Sequence, residues 1–111
     1  MNEAATSPQV TTRGLEFADR LERLLQLPLD HADHVAPWYV ARGELTDWID
    51  AHFSELPFGV PHHLYHYFDD ADIRAKEPGY RTDQEDAVRL VIRQLRGEPL
   101  PEPKRAWWHF W

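Results

Sequence analysis

The segment 60–97 constrains the fold most, because its pattern predicts two helices joined by a tight turn. Pro61 suits the first position of a helix, where a missing N–H would have no hydrogen-bond partner in any case. Pro78 ends this helix, since a proline disfavours the helical conformation of the residue before it. We therefore predict one helix over 61–77 and a second helix that ends at Gly97, the residue type most typical of helix C-termini.

The second helix of this pair is predicted to begin at a capping box, Thr82-Asp83-Gln84-Glu85. In such a box the Thr82 hydroxyl and the Glu85 carboxylate each satisfy a backbone N–H group that the helix leaves free. The apolar residues that follow recur at helical spacing and form a stripe suited to burial. They are Val88, Val91, Ile92 and Leu95.

Two further helices are predicted upstream, from apolar residues spaced three and four positions apart. They cover 13–27 and 44–56, and Gly43 is expected to interrupt the pattern before the second of them. The segment 35–40 between them is ambiguous, because it is β-branched and aromatic around Pro37. It can form part of a helix or an extended strand.

Together these patterns predict a mostly α fold, a compact bundle of about four helices in one domain over 13–97. Residues 1–12 are small and polar, and we expect them to form a flexible tail. Residues 98–111 combine a Pro-rich spacer with an aromatic C-terminal segment. If 35–40 is extended, it can pair with 106–111 as two short strands, and the fold is then α+β.

The composition excludes several classes of protein. A net charge of −7 over 111 residues argues against nucleic acid as a partner, because phosphate-binding surfaces need clustered Lys and Arg. The chain has no cysteine, which excludes disulfides, thiolate zinc sites and a thiol nucleophile. It has no apolar run of membrane-spanning length and no signal sequence, so we expect a cytoplasmic location and no membrane partner.

Candidate catalytic groups are few, and we predict a protein that is not an enzyme. The neighbouring acids Asp69, Asp70 and Asp72 are equally exposed in the predicted helix, whereas a general acid and base need environments that separate their pKa values. Ser7 and Ser54 lack the sequence context of an activated nucleophile. The five glycines are scattered and form no phosphate-binding loop.

The histidines of the predicted 61–77 helix form one candidate site. His62 and His66 are one turn apart, and Asp69 or Asp70 follows about one turn later on the same face. Imidazole and carboxylate groups are the usual ligands of divalent metals. The alternative function is therefore a divalent-metal-binding protein or a pH-responsive surface. The plainer interpretation is a solvated polar face, with no cofactor at all.

The aromatic run at the C-terminus is the most unusual feature of the sequence. It contains Trp107, Trp108, Phe110 and Trp111. Burial of each ring is worth on the order of 2 kcal/mol, so leaving all of them in water is costly. One interpretation packs the run into a groove left by Phe17, Trp48 and Phe53 of the same chain.

The other interpretation places this run in a partner protein, since aromatic residues dominate interface hot spots. It predicts a small acidic interaction or regulatory protein that binds a protein partner or itself, and a homodimer that shares its tails is the intermediate case. A third hypothesis is a small-molecule pocket lined by Trp38, Trp48 and Tyr67. That hypothesis requires an apolar cavity between the three rings.

Overall fold

The computed structural model describes residues 10–99, which form five α-helices and no strand. The helices are α1 (Thr12–Leu25), α2 (Val35–His52), α3 (His62–Asp69), α4 (Ala71–Lys76) and α5 (Pro78–Leu95). Short 3-10 helices at Ala32–His34 and Phe53–Glu55 flank α2. The predicted mostly α bundle is confirmed. Most of the predicted flexible tail over 1–12 and of the segment 98–111 lies outside the described residues.

Helix α1 is the predicted amphipathic helix, and it packs mainly on α5. The side chain of Thr11 caps its first turn by accepting a hydrogen bond from the Gly14 N–H at 2.9 Å. Phe17 and Leu21 from its apolar stripe are fully buried in the core. Because this stripe is buried against α5, tertiary packing rather than helix propensity holds α1 in place.

The ambiguous segment 35–40 is helical. Helix α2 begins at Val35 and continues without a break through Gly43, so the strand alternative for 35–40 and the boundary expected at Gly43 are both wrong. Pro37 is the third residue of α2, where the N–H group has no partner within the helix, so the proline is tolerated. Trp38 is only 2% exposed, and this burial overrides the β-propensity of its neighbours.

The single helix predicted over 61–77 is also wrong, because the structure divides it into α3 and α4. The division falls at Asp70, whose φ of −107° and ψ of 24° lie outside the helical range. The break turns the second half of the segment into a short separate helix. It therefore changes which side chains of 61–77 share a face.

Side chains from other helices stabilise this break. Each of the last three carbonyls of α3 accepts one hydrogen bond: Tyr67 from Arg74 at 2.6 Å, Phe68 from Arg42 at 3.2 Å and Asp69 from Tyr39 at 2.7 Å. These bonds replace the backbone bonds that α3 would make if it continued. The two guanidinium groups also suit the negative end of the helix dipole.

Helix α5 begins at Pro78 rather than at Thr82, so the predicted capping box is wrong. Glu77 is extended, and Pro78 takes the first helical position, which suits its fixed φ and missing N–H. The Thr82 hydroxyl lies one turn inside the helix and donates to the Pro78 carbonyl at 3.0 Å. Pro78 and Thr82 both suit the start of a helix, and α5 begins at Pro78.

The end predicted for α5 is confirmed. Gly97 has a φ of +71°, and its N–H group donates to the Gln94 carbonyl at 3.2 Å. The Glu98 N–H group donates to the Arg93 carbonyl at 2.9 Å, which completes a Schellman motif. Arg96 then joins α5 to α1 through an ion pair with Asp19 at 2.9 Å.

The core lies where the five described helices meet, and its largest buried apolar side chains are Trp38, Tyr67, Phe17 and Phe68. Two polar residues, Arg74 and Gln84, are buried with them. Within residues 10–99, no helix is both long enough and apolar enough to cross a membrane.

Candidate functional site

The aromatic residues predicted to bind a partner, Trp107, Trp108, Phe110 and Trp111, lie outside the described residues, as does the strand proposed at 106–111. The groove predicted to receive them within the same chain involves residues that the structure does describe. Phe17 is fully buried, and its ring stacks on Trp48 with 5.9 Å between the ring centroids. Phe53 is 51% exposed on the turn that follows α2.

Other side chains of the helical bundle contact Trp48 as well. The Arg20 guanidinium lies 4.8 Å from the centroid of its ring, and the His52 ring is also 4.8 Å away. Cation–π and aromatic contacts of this kind are favourable at a protein surface. Phe17 and Trp48 therefore stack on each other, and Arg20 and His52 contact the Trp48 ring.

The predicted histidine pair is brought together. His62 and His66 lie on α3 with 5.1 Å between their ring centroids. The two aspartates are engaged elsewhere: Asp69 accepts a hydrogen bond from Arg42 at 3.1 Å, and Asp70 belongs to a separate polar cluster. Among residues 10–99, no group of three His, Asp or Glu side chains is placed to hold one metal ion. The metal site stays a prediction that rests on two imidazoles.

A third histidine of α3 lies beside this pair, and the sequence pattern did not single it out. His63 is half-buried against α5, where it contacts the backbone of Ala87. Burial lowers the pKa of His63, and the positive charges that His62 and His66 can carry lower it further. His63 is therefore kept neutral more firmly than an exposed histidine.

The most organised polar site in the described residues surrounds Arg74, and the sequence analysis missed it. Arg74 is 1% exposed, and its guanidinium lies 4.7 Å from the Trp38 ring centroid and 4.2 Å from that of Tyr67. Its Nη1 atom donates to the Tyr67 carbonyl and to Oε1 of Gln84, both at 2.6 Å. We call Trp38, Tyr67 and Gln84 the arginine box.

A second set of hydrogen bonds holds Gln84 in position. Its Nε2 atom donates to the Asp70 carboxylate at 3.2 Å and to the Tyr80 hydroxyl at 3.0 Å. The Tyr80 hydroxyl in turn donates to the same carboxylate at 2.7 Å. Burial and this bond to Asp70 raise the pKa of Tyr80 to about 12. The amide of Gln84 is therefore fixed with its oxygen facing Arg74.

The Arg74 guanidinium, which lies in the arginine box, is a charged group in the interior of the bundle. Burial lowers the pKa of Arg74, and burial raises the pKa of the Tyr67 hydroxyl. The Nε and Nη2 atoms of Arg74 have no hydrogen-bond partner among the described residues. The faces of the Trp38 and Tyr67 rings lie beside the guanidinium, and their π electrons attract its positive charge.

A signal for this site was present in the sequence. Arg74 lies three residues after Ala71 and seven after Tyr67, which places it on the apolar face of the 61–77 pattern. A charged residue on an apolar face needs a specific set of partners. The pattern could not identify those partners, because they come from α2, α3 and α5.

The hypothesis of a small-molecule pocket is not supported in its predicted form. Trp38 and Tyr67 do meet, with 5.3 Å between their centroids, but the Arg74 guanidinium occupies the place beside both rings. Trp48 lies ten residues further along α2, about 15 Å along the helix axis. It stacks on Phe17 instead.

Comparisons with protein-family models, with curated protein sequences and with solved structures yield no match to this chain. The function is therefore inferred from the residues of the chain itself.

Proposed function

We propose that this chain is a small, acidic, non-enzymatic interaction protein that binds a protein partner through its C-terminal aromatic segment. The residues that bind are Trp107, Trp108, Phe110 and Trp111. The observation that carries the proposal is that Phe17 and Trp48 already stack on each other. The alternative use of the aromatic segment required a groove left by Phe17, Trp48 and Phe53.

The energetics of the segment support the same conclusion. Each of its large rings gains on the order of 2 kcal/mol when it is buried, so a surface that accepts several of them gains substantial affinity. In the described bundle, Arg20 and His52 contact Trp48, and Trp48 covers Phe17. Packing the segment between these side chains would displace favourable contacts.

The charge of the chain indicates the kind of partner. With a net charge of −7, the chain attracts a protein with a basic surface and repels another acidic one. Such attraction acts mainly on the association rate and is screened by salt over about 10 Å at 0.1 M ionic strength. Binding should therefore combine a hydrophobic anchor with an affinity that falls as salt is added.

The test compares three forms of the full chain immobilised at equal density. One is wild type, one carries alanine at the four aromatic residues of the segment, and the control carries Tyr65→Ala, an exposed aromatic on α3. Proteins of the host cell retained by each form are identified and then titrated individually. We expect one partner to bind the wild type and the control with similar Kd and the segment variant at least tenfold more weakly. Equal binding by all three forms would refute the proposal.

The same variants test whether the partner is a second copy of the chain. Sedimentation equilibrium of the wild type and of the segment variant measures self-association directly. A dimer that dissociates on substitution of the segment identifies self-association as the interaction. If both forms are monomeric, a second copy of the chain is excluded as the partner.

A second candidate function is divalent-metal binding, favoured by the 5.1 Å separation of the His62 and His66 rings. Two imidazoles one turn apart on a helix can bind one ion, and solvent or a partner side chain would complete its coordination. Asp69 and Asp70 were predicted as further ligands. They now have the hydrogen-bond partners described above.

A further inference from the structure

We infer that the arginine box is a binding site for the guanidinium group, in which Arg74 acts as a ligand supplied by the same chain. The inference concerns the chemical class that the box recognises, and it is independent of the partner proposed above. It rests on three features: two aromatic faces, two directed acceptors and an indirect counter-charge.

The aromatic faces come from different helices. Trp38 lies on α2 and Tyr67 on α3, and the two rings meet edge to face at 83° between their planes. The Arg74 guanidinium lies 4.7 Å and 4.2 Å from their centroids. A planar, weakly hydrated cation suits such a site better than a compact ammonium group, which is more strongly hydrated.

The two acceptors are positioned by contacts that do not involve Arg74. The Tyr67 carbonyl is free because α3 ends within two residues, at Asp69. Oε1 of Gln84 faces the box because the other end of the same amide donates to Asp70 and Tyr80. The site is therefore largely formed before the guanidinium enters it, which lowers the entropy lost on binding.

The counter-charge is indirect. Glu85 and Asp70 both favour the charged form of Arg74, and neither forms a direct ion pair with it in the described structure. Gln84 bridges Arg74 and Asp70 by hydrogen bonds. A cation in the box is thus stabilised by a polarised amide and a carboxylate behind it. A neutral ligand of the same shape would not gain this stabilisation.

The test uses the full chain with Arg74→Ala, which empties the box, and methylguanidinium chloride as the probe. We expect methylguanidinium at low millimolar concentration to raise the melting temperature of R74A by roughly 5 °C once the site is mostly occupied. Equal concentrations of methylammonium chloride and of sodium chloride are the matched controls. The wild type should show no rise, because Arg74 already fills its box.

A second variant tests whether the rise in melting temperature arises from binding in the arginine box. R74A combined with Gln84→Leu lacks the side-chain acceptor, so the response to methylguanidinium should disappear. An equal rise with methylammonium, or a rise that survives Gln84→Leu, would show that no guanidinium site exists. A folded R74A that does not respond to methylguanidinium at all would also overturn the inference.

If R74A does not fold even with methylguanidinium, an NMR spectrum of the wild type tests the inference instead. The side-chain N–H protons of Arg74 should then be shifted upfield in its NMR spectrum by the ring currents of Trp38 and Tyr67. They should also exchange slowly with solvent. An Arg74 signal at an ordinary shift with fast exchange would mean that the guanidinium does not occupy the box.

Discussion

Arg74 and Asp70 are four residues apart, and the side-chain amide of Gln84 joins them by hydrogen bonds in place of a direct ion pair. Arg74 donates to Oε1 of Gln84 at 2.6 Å, and Nε2 of Gln84 donates to Asp70 at 3.2 Å. Asp70 precedes the first residue of α4, its backbone carbonyl accepts a hydrogen bond from the Arg74 N–H group at 3.0 Å, and its carboxylate accepts from Tyr80 and Gln84 instead. A neutral residue from α5 therefore connects the two charges.

Replacing Gln84 with leucine should destabilise the chain severely. The leucine has a similar volume but leaves the buried guanidinium without one of its two acceptors, and the Asp70 carboxylate without one donor. We expect the free energy of unfolding to fall by about 2–4 kcal/mol. Urea denaturation measures the change, and Gln94→Leu, an exposed position on the same helix, is the control with little expected effect. Equal losses for the two variants would contradict the structural role given to Gln84.

Two glycines should respond to alanine with opposite signs. Gly43 lies inside α2, and a Cβ added there would meet open space, so Gly43→Ala should stabilise the chain by about 0.5–1 kcal/mol. Gly97 has a φ of +71°, and its Cβ would come within 2.6 Å of a Val10 methyl group. Gly97→Ala should therefore destabilise by about 1–2 kcal/mol. The urea midpoints of the two variants should lie on opposite sides of the wild type.

The stability of the chain should fall as His63 becomes protonated. Its pKa is lowered in the folded chain, mainly by burial, so the unfolded chain takes up this proton at a higher pH than the folded chain does. The stability that neutral His63 contributes is complete above its unfolded pKa of about 6.5, and it is lost as the pH falls from that value through the lower pKa of the folded chain.

Urea denaturation between pH 7.5 and pH 5.5 tests this dependence, with both values chosen to bracket the imidazole range near about 6.5. His63→Gln should flatten the fall in stability across this window. His31→Gln, an exposed position outside α3, should retain most of it. A His63→Gln chain that loses stability as steeply as the wild type would assign the effect to other groups.

The metal hypothesis predicts a shift in melting temperature. If His62 and His66 bind a common ion, Zn²⁺ in excess of its Kd should raise the melting temperature, because the ion binds the folded chain preferentially. His66→Ala should abolish the rise, whereas His31→Ala should leave it intact. No rise with Zn²⁺, Ni²⁺ or Co²⁺ would remove the hypothesis.

The sequence pattern was sufficient to predict a structural feature where the residues that determine it lie close together in the chain. The amphipathic stripe of α1 and the end of α5 at Gly97 could both be predicted, since each depends on residues within a few positions of one another. The start of α5 could not be decided in this way. Pro78 and Thr82 are both good residues for a helix start, and the pattern contained no means to rank them.

The candidate sites show the same difference between features that depend on nearby residues and features that depend on distant ones. The spacing of His62 and His66 placed both on one face of a helix, and the structure keeps them adjacent. The same spacing placed Asp69 and Asp70 beside them, but the Asp69 carboxylate accepts from Arg42 of α2, and the helix breaks at Asp70, whose carboxylate accepts from Gln84. Helical periodicity holds only while the helix continues.

The sequence by itself determined that this chain is acidic, mostly helical and built on amphipathic segments, because composition and periodicity are properties of the chain alone. Only the tertiary structure decided that 35–40 is helical and that 61–77 is divided. Trp38 is buried in the first segment, and side chains of α2, Tyr39 and Arg42, donate hydrogen bonds to the end of α3 in the second. The partners of a buried group are chosen by the fold, so no local pattern can name them.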